Sequence, residues 1–253
     1  MNGQPAVSCI CLTYGRPEVL EEAVYSFLQQ DYAGRKELIV LNDYAAQNLK
    51  FDHPDVQVIN VNKRLRTVGE KMNMAVALAA HDLLFVWDDD DIYLPHRLGF
   101  SASKFEAQKG FFKPDKAWVW NDGKLIAAKG VFHPGSCWSR DLFDTVRGYV
   151  AEGSGYDQTF ERFLKQQFPG STSTFDIKLA EIYYIYRWSG TGSYHMSGFA
   201  DYVAGQNVGH NEVEAFVQER AARGQIRRGT IWLKPHWKSD YQQLVKETIH
   251  SPR

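Results

Sequence analysis

Four apolar residues, Leu83-Leu84-Phe85-Val86, run directly into Trp87 and four consecutive aspartates, Asp88 to Asp91. A short apolar run without polar alternation suits a strand buried on both faces, as in a parallel sheet covered by helices. A buried strand that ends in stacked negative charge needs a physical reason. Two carboxylates about 5 Å apart repel by roughly 3 kcal/mol at an effective dielectric near 20. A bound divalent cation removes that penalty. Acidic runs also serve solubility on surface loops, but this one stands at the carboxyl end of a central strand, where open α/β sheets bind ligands. Position favours a metal site.

The segment before it alternates strand and helix signals. Val7 to Leu12 is apolar and is broken by Thr13-Tyr14-Gly15-Arg16-Pro17. Leu20, Ala23, Val24, Phe27 and Leu28 then recur at helical spacing, with Pro17 suited to a first turn. Leu38 to Leu41 stops at Asn42-Asp43, and Val56, Val58, Ile59 and Val61 supply a third strand. A helix around Lys71 to Ala80 precedes the Leu83 strand. Such alternation predicts a mostly parallel sheet with helices on both faces. After residue 110 the pattern changes. Trp118 to Trp120 and Leu125 to Ala128 flank Asn121-Asp122-Gly123-Lys124, a hairpin signal. Further helices are expected at Asp141-Leu142-Phe143, from Tyr156-Asp157 through Leu164, from Glu212 to Arg223 and from Tyr241 to Ile249, with a late strand over Ile182 to Trp188.

Composition narrows the function classes. With 29 basic and 30 acidic residues, no global field points to nucleic acid. Hydrophobic residues make up 44% of the 253, enough for one large domain's core. Cys9, Cys11 and Cys137 form no paired framework and read as small buried hydrophobes of a reducing compartment. No signal peptide or membrane-spanning run is visible, so the chain reads as cytoplasmic and soluble.

The ordered motifs resemble family 2 of the GT-A-fold glycosyltransferases, which use nucleotide-diphosphate sugars; the match runs through roughly residues 7 to 165. Thr13-Tyr14-Gly15-Arg16-Pro17 resembles the loop that meets the nucleotide, so Thr13, Tyr14 and Arg16 enter the donor-binding set. Asn42-Asp43 resembles the acidic pair after the second strand, with Asp43 facing the base. Gly69-Glu70-Lys71-Met72-Asn73-Met74-Ala75 resembles the family's Gly/Asn helix start. Asp89-x-Asp91 resembles the metal-binding DxD element, and Gly155-Tyr156-Asp157-Gln158 the helix start that bears the catalytic base. The implied fold is α/β, a Rossmann-like three-layer GT-A domain with a small antiparallel acceptor-side element. It would span residues 1–200, the nucleotide half about 1–95 and the acceptor half about 96–200, with 201–253 an accessory element.

Each role has a physical basis and a plainer competitor. Asp43 can reach an imide N–H or a ribose hydroxyl, or it can cap the next turn. Arg66 and Lys71 suit diphosphate contacts beside a helix N-terminus, or a solvated face. Asn73 can bridge to the ligand or make an internal bond. By the resemblance, Asp89 and Asp91 belong to the ribose, metal and diphosphate end, with Asp91 the direct ligand of Mn²⁺ or Mg²⁺. Side-chain alternation would turn Asp88 and Asp90 elsewhere, to cap Ile92-Tyr93-Leu94-Pro95 or bind backbone; Asp90 is still kept in the donor-binding set. Asp157 is the general base, with helix capping as the competing role. The family usually has Glu-Asp where this chain has Tyr156-Asp157, one carboxylate fewer.

His195, in the loop Trp188 to His195, is a candidate third metal ligand or diphosphate contact, with a structural role as the competitor, and Arg187, Thr191, Ser193 and Tyr194 are candidates for a segment closing over the donor. The processive branch carries Gln-x-x-Arg-Trp; Tyr184 replaces that Gln before Arg187-Trp188, which argues against a polymer synthase. Arg220 to Lys238 is basic and contains Trp232 and Trp237, suited to an acidic acceptor, a membrane surface, a dimer contact or simply a solvated helix face. The implied reaction is metal-dependent, inverting transfer from a nucleotide-diphosphate sugar, UDP by default, to a hydroxyl of a glycan, lipid-linked or small-molecule acceptor. Retaining transfer, sugar-1-phosphate nucleotidyl transfer and a non-catalytic nucleotide-sugar-binding module are the alternatives.

Overall fold

The computed structural model describes residues 3–121, 123–130, 132–152, 155–187 and 208–250. Along the chain these form β1 (Val7–Thr13), α1 (Pro17–Leu28), β2 (Lys36–Asn42), β3 (Gln47–Lys50), β4 (Val56–Asn60), α2 (Val68–Ala77), β5 (Leu83–Val86), β6 (Ile92–Tyr93), α3 (Arg97–Lys104), β7 (Phe111–Pro114), β8 (Lys116–Asn121) and β9 (Lys124–Lys129). There follow β10 (Cys137–Ser139), α4 (Arg140–Thr145), α5 (Tyr156–Gln167), β11 (Thr172–Phe175), β12 (Tyr184–Arg187), α6 (Val208–Ala222), β13 (Gly229–Trp232) and α7 (Tyr241–His250).

The apolar runs of the first ninety residues become four adjacent strands, ending at the edge strand β4, of a seven-stranded sheet in the order β11-β7-β10-β5-β1-β2-β4. β1 pairs in parallel with both β2 and β5, and β2 with β4. Strand alternation gives β1 two apolar faces. Val7, Cys9 and Cys11 join a cluster with Leu20, Ala23, Val24 and Phe27 of α1. Ile10 joins the opposite cluster, with Met72, Ala75 and Val76 of α2. Helices on both faces leave the cysteines buried and free. Trp87 is wholly enclosed, and its indole N–H donates to the Ala23 carbonyl at 2.9 Å. Full burial of one such ring contributes about 3 kcal/mol.

The predicted hairpin is present as β8 and β9, paired antiparallel from Lys116↔Lys129 to Asn121↔Lys124. It belongs to a four-stranded sheet in the order β6-β12-β8-β9. Sequence periodicity gave no sign of β10, a three-residue strand inserted antiparallel between β5 and β7. In the C-terminal region β13 pairs in parallel with β3, α6 packs Val213 and Val217 against Tyr44, and Tyr241 and Val245 of α7 enter the main core. Among the described residues no helix is long and apolar enough to cross a membrane.

The order β5-β1-β2-β4 contains a switch point. From β1 the chain steps outward through β2 to β4, then returns to β5 on the other side of β1. Ligands of open α/β sheets bind outside the carboxyl ends of the strands at such a point. Here those ends carry Thr13, Asp43 and the aspartate run.

Candidate active site

A cavity of about 380 Å³ opens at that place. Thr13, Tyr14 and Arg16 reach it from the end of β1, Asp43 from β2, Asp88, Asp89 and Asp90 from β5, and Lys71 from α2. The opposite wall is Gly155, Tyr156, Asp157 and Gln158 at the start of α5. Phe132, Tyr184 and Tyr186 form an aromatic side, and His210 and Val213 of α6 close the Tyr14 end. The first turns of α2 and α5 and the carboxyl ends of β1, β2 and β5 thus meet at one concave site.

Charge within the wall is ordered. The Arg16 fork grips Asp89 through Nη2 at 2.6 Å and Nε at 3.0 Å, while Nη1 reaches Asp90 at 2.8 Å. Lys71 Nζ lies 2.5 Å from Asp43 Oδ1 and donates to the Thr13 carbonyl at 2.6 Å. Burial pulls the Lys71 ammonium below its ordinary range, with Asp43 acting against that shift. The other Asp43 oxygen accepts the Leu65 amide at 3.0 Å. Asp43 therefore ties three segments together at the cavity wall.

The aspartate run does not follow strand alternation. Asp89 and Asp90 lie in a turn, so Asp88 and Asp90 stay on the cavity wall, and the expectation that alternation turns them away is corrected. Asp91 sits behind the wall, 1% exposed, and accepts from Tyr184 Oη at 2.6 Å and the Arg187 amide at 2.9 Å. Ligand atoms of Asp88, Asp90 and Asp91 all lie within 4.8 Å of one another. Burial pushes the Asp88 carboxyl well above its usual range, and the four side chains that act on it most strongly, Asp91, Asp90, Asp89 and Asp157, are all carboxylates. A hard divalent cation fits that all-oxygen donor set. Asp88 was the residue missed; its signal was its place as the first carboxylate beyond the strand.

Asp157 is the second residue of α5 and half-buried. The N-cap is Gly155, at φ 71°, so Asp157 complements the helix dipole from inside the first turn and does not cap it. Other candidates lie off the cavity wall. Arg66 has an 86% exposed side chain paired with Glu70, because Thr67 caps α2 and leaves the preceding residue pointing outward. Arg64 takes the place at the cavity: its guanidinium lies 4.2 Å from the Tyr14 ring centroid and bonds Glu214 and His210. Asn73 makes an internal bridge, donating to the Tyr149 carbonyl at 2.8 Å and accepting its amide at 2.9 Å. Arg187 is buried, with Nη1 2.6 Å from Glu22, and does not belong to a closing segment. His195, Thr191, Ser193 and Tyr194 lie outside the described residues.

Residues 8–113 match the model of glycosyl transferase family 2. That match covers β1 through β7, including every cavity residue from Leu12 to Asp90. A search of the curated proteins found no match. Among solved structures, S. aureus TarS 1-349 in complex with UDP-GlcNAc is 17% identical and superposes with a TM-score of 0.59 over 96% of this chain and 71% of that one. The same protein in complex with UDP gives 17% identity and 0.55 over 73% and 61%. The mannosyltransferase PcManGT from Pyrobaculum calidifontis, in complex with GDP-Man and Mn²⁺, gives 16% and 0.54 over 73% and 57%. The chain thus spans about 60% of the length of the latter two. At these identities the likeness establishes the fold, which is GT-A.

Proposed function

We propose that the chain is a divalent-metal-dependent, inverting, non-processive glycosyltransferase that moves a hexose from a nucleotide-diphosphate sugar, UDP-linked by default, to a hydroxyl acceptor. One observation carries the reading: Asp88 and Asp90 line a cavity with Asp157 on its far wall, and their ligand atoms and one of Asp91, just behind that wall, lie within 4.8 Å of one another. The family match over the donor side supports it, as do neighbours solved with UDP, UDP-GlcNAc and GDP-Man with Mn²⁺.

In this reading Thr13, Tyr14, Asp43 and Lys71 hold the nucleoside end, and Arg16 keeps Asp89 and Asp90 in place beside the diphosphate. Mn²⁺ or Mg²⁺, held by Asp88, Asp90 and Asp91, would neutralise charge on the departing diphosphate. Asp157 accepts the proton of the acceptor hydroxyl as its oxygen bonds to the anomeric carbon and the bond to the diphosphate breaks. Tyr156, Tyr184, Tyr186 and Phe132 offer aromatic faces to the sugar and acceptor and limit water. The assignment of 1–200 to the catalytic domain and 201–253 to an accessory element is supported by the separate β13–β3 sheet, with α6 lending His210 and Val213 to the cavity. A cytoplasmic site of action suits three free, buried cysteines. The basic 220–238 stretch suits an anionic membrane or acceptor.

A screen of UDP- and GDP-sugars with and without Mn²⁺, with the product anomer read by NMR, tests this. Asp157→Asn should keep donor binding and lose about 10²- to 10⁴-fold in kcat. Near-normal turnover by that variant, a retained anomer, or equal donor affinity with and without cation would overturn the corresponding part of the proposal.

A further inference from the structure

The cavity wall contains a buried imidazole that the reaction above does not use. His133, 2% exposed, lies in the 3-10 turn His133–Gly135 just before β10. Its Nδ1 is 2.8 Å from Glu161 Oε1, and its Nε2 is 2.7 Å from the Tyr149 hydroxyl. Glu161 is 3% exposed and also forms a buried ion pair with Lys113 of β7. The Tyr149 ring packs on Tyr156 and Phe160 of α5, with centroids 5.2 Å and 4.5 Å apart. Apolar residues of equal volume would serve stability as well as a buried ionic network does. Stability alone therefore does not account for this cluster.

Its placement gives it a task. Asp157 and Glu161 are four residues apart on α5 and share one face of the helix. The N-cap Gly155 contributes no side-chain cap bond. Glu161, one turn further in, is where the helix is clamped to β7 and to the His133 turn. Helix side chains end about 5–6 Å from the axis, so a rotation of about 10° moves a carboxylate by about 1 Å. Misplacement of that size costs on the order of 10²-fold in rate.

We propose that His133 is a positioning residue: through Glu161 it sets the rotation of α5, and so the point at which the Asp157 carboxylate meets the acceptor hydroxyl. The inference rests on Asp157 as the general base. Release of nucleoside diphosphate from UDP-GlcNAc and GDP-mannose with Mn²⁺ is measured for wild type, His133→Leu, His133→Asn, Asp157→Asn and the His133→Leu/Asp157→Asn double variant. The Asn amide can stand in for Nδ1–H and keep the bond to Glu161.

The Leu variant should lose about 10- to 100-fold in kcat with donor KM within about twofold, and the Asn variant should recover most of it. The double variant should be no slower than Asp157→Asn alone, because a residue acting through Asp157 has nothing left to position. Losses that multiply in the double variant would overturn the proposal. Wild-type kcat for Asp157→Asn would instead remove the general-base reading, and the inference with it. Hydrogen exchange on the unliganded protein gives an answer that needs no turnover. Amides of residues 156–161 should exchange faster in His133→Leu and not in His133→Asn; unchanged exchange in the Leu variant overturns the proposal.

Discussion

Breaking the Arg187–Glu22 pair separates two roles for Arg187, a strut or part of a closing segment. Arg187 Nη1 lies 2.6 Å from Glu22 Oε2, Nε donates to the Asp90 carbonyl at 2.5 Å, and the backbone amide donates to Asp91. Glu22, 1% exposed on α1, also accepts from the Tyr241 hydroxyl at 2.7 Å and the Lys238 amide at 3.0 Å. One carboxylate thus joins α1, β12 and the C-terminal segment. Glu22→Gln keeps the size and leaves the guanidinium without its buried counter-charge. Removal of one partner of a buried pair costs about 3–5 kcal/mol. At about 2–4 °C per kcal/mol for a chain of this size, Tm should fall by about 6–20 °C.

The same pair carries a pH signature. Burial raises the Glu22 carboxyl, but Arg187, the Lys238 amide and Tyr241 outweigh it and hold the group below its ordinary value of 4.5. A lowered folded-state pKa means that the contribution is complete above about pH 4.5 and lost as pH falls through the folded value. Scanning calorimetry of wild type, Glu22→Gln, Arg187→Met and the double variant between pH 7 and pH 3 reads both effects. Each single variant should melt well below wild type at pH 7, and the double variant should be no worse than the poorer single. A Tm change under about 2 °C with a raised donor KM in Arg187→Met would refute the strut and restore the closing segment.

Two other perturbations test how the site is held. A Cβ on Gly69 would stand 1.8 Å from the Val150 carbonyl oxygen, in the stretch that leads to α5. Gly69→Ala should therefore lower stability by about 1–3 kcal/mol in a melting experiment, whereas helix propensity alone would raise it by about 1; a higher Tm would refute the close approach. Glu161 is held down to about 2, because its bonds and charges with His133 and Lys113 outweigh burial. Its contribution, roughly 3 kcal/mol, should be complete above about pH 4.5 and lost as pH falls towards 2, and acid unfolding curves of wild type and Glu161→Gln that ran parallel would count against it.

The strands and helices that position the cavity wall were legible because their side-chain periods are simple. Leu38 to Leu41 and Leu83 to Val86 are uninterrupted apolar runs, Val7 to Leu12 is broken only by Ser8, and they became the adjacent parallel strands β2, β5 and β1. The Asp-Gly hairpin was legible through its turn chemistry. β10 was not, because three residues carry no period, and its antiparallel place between β5 and β7 depends on partners distant in the chain. Arg64 and His133 were passed over for the same reason. Nothing local marks a cation as stacked on Tyr14 or an imidazole as bonded to a carboxylate 28 residues away.

The aspartate run shows where reading by period ends. Strand alternation holds only as far as Val86, where β5 stops, and the chain bends at Asp89 and Asp90. Within a turn, neighbouring side chains need not point to opposite faces, so Asp88, Asp89 and Asp90 can all line one wall while Asp91 turns inward to Tyr184 and Arg187. The bend is held by bonds that no local rule predicts: the Tyr93 hydroxyl accepts the Asp88 amide, Arg187 takes the Asp90 carbonyl, and Arg16 spans Asp89 and Asp90. Each of those partners comes from a different element. The chemistry of the run is fixed by residue type and the placement of individual carboxylates by tertiary contacts, which is why strand alternation turned Asp88 and Asp90 away from a wall that both of them line.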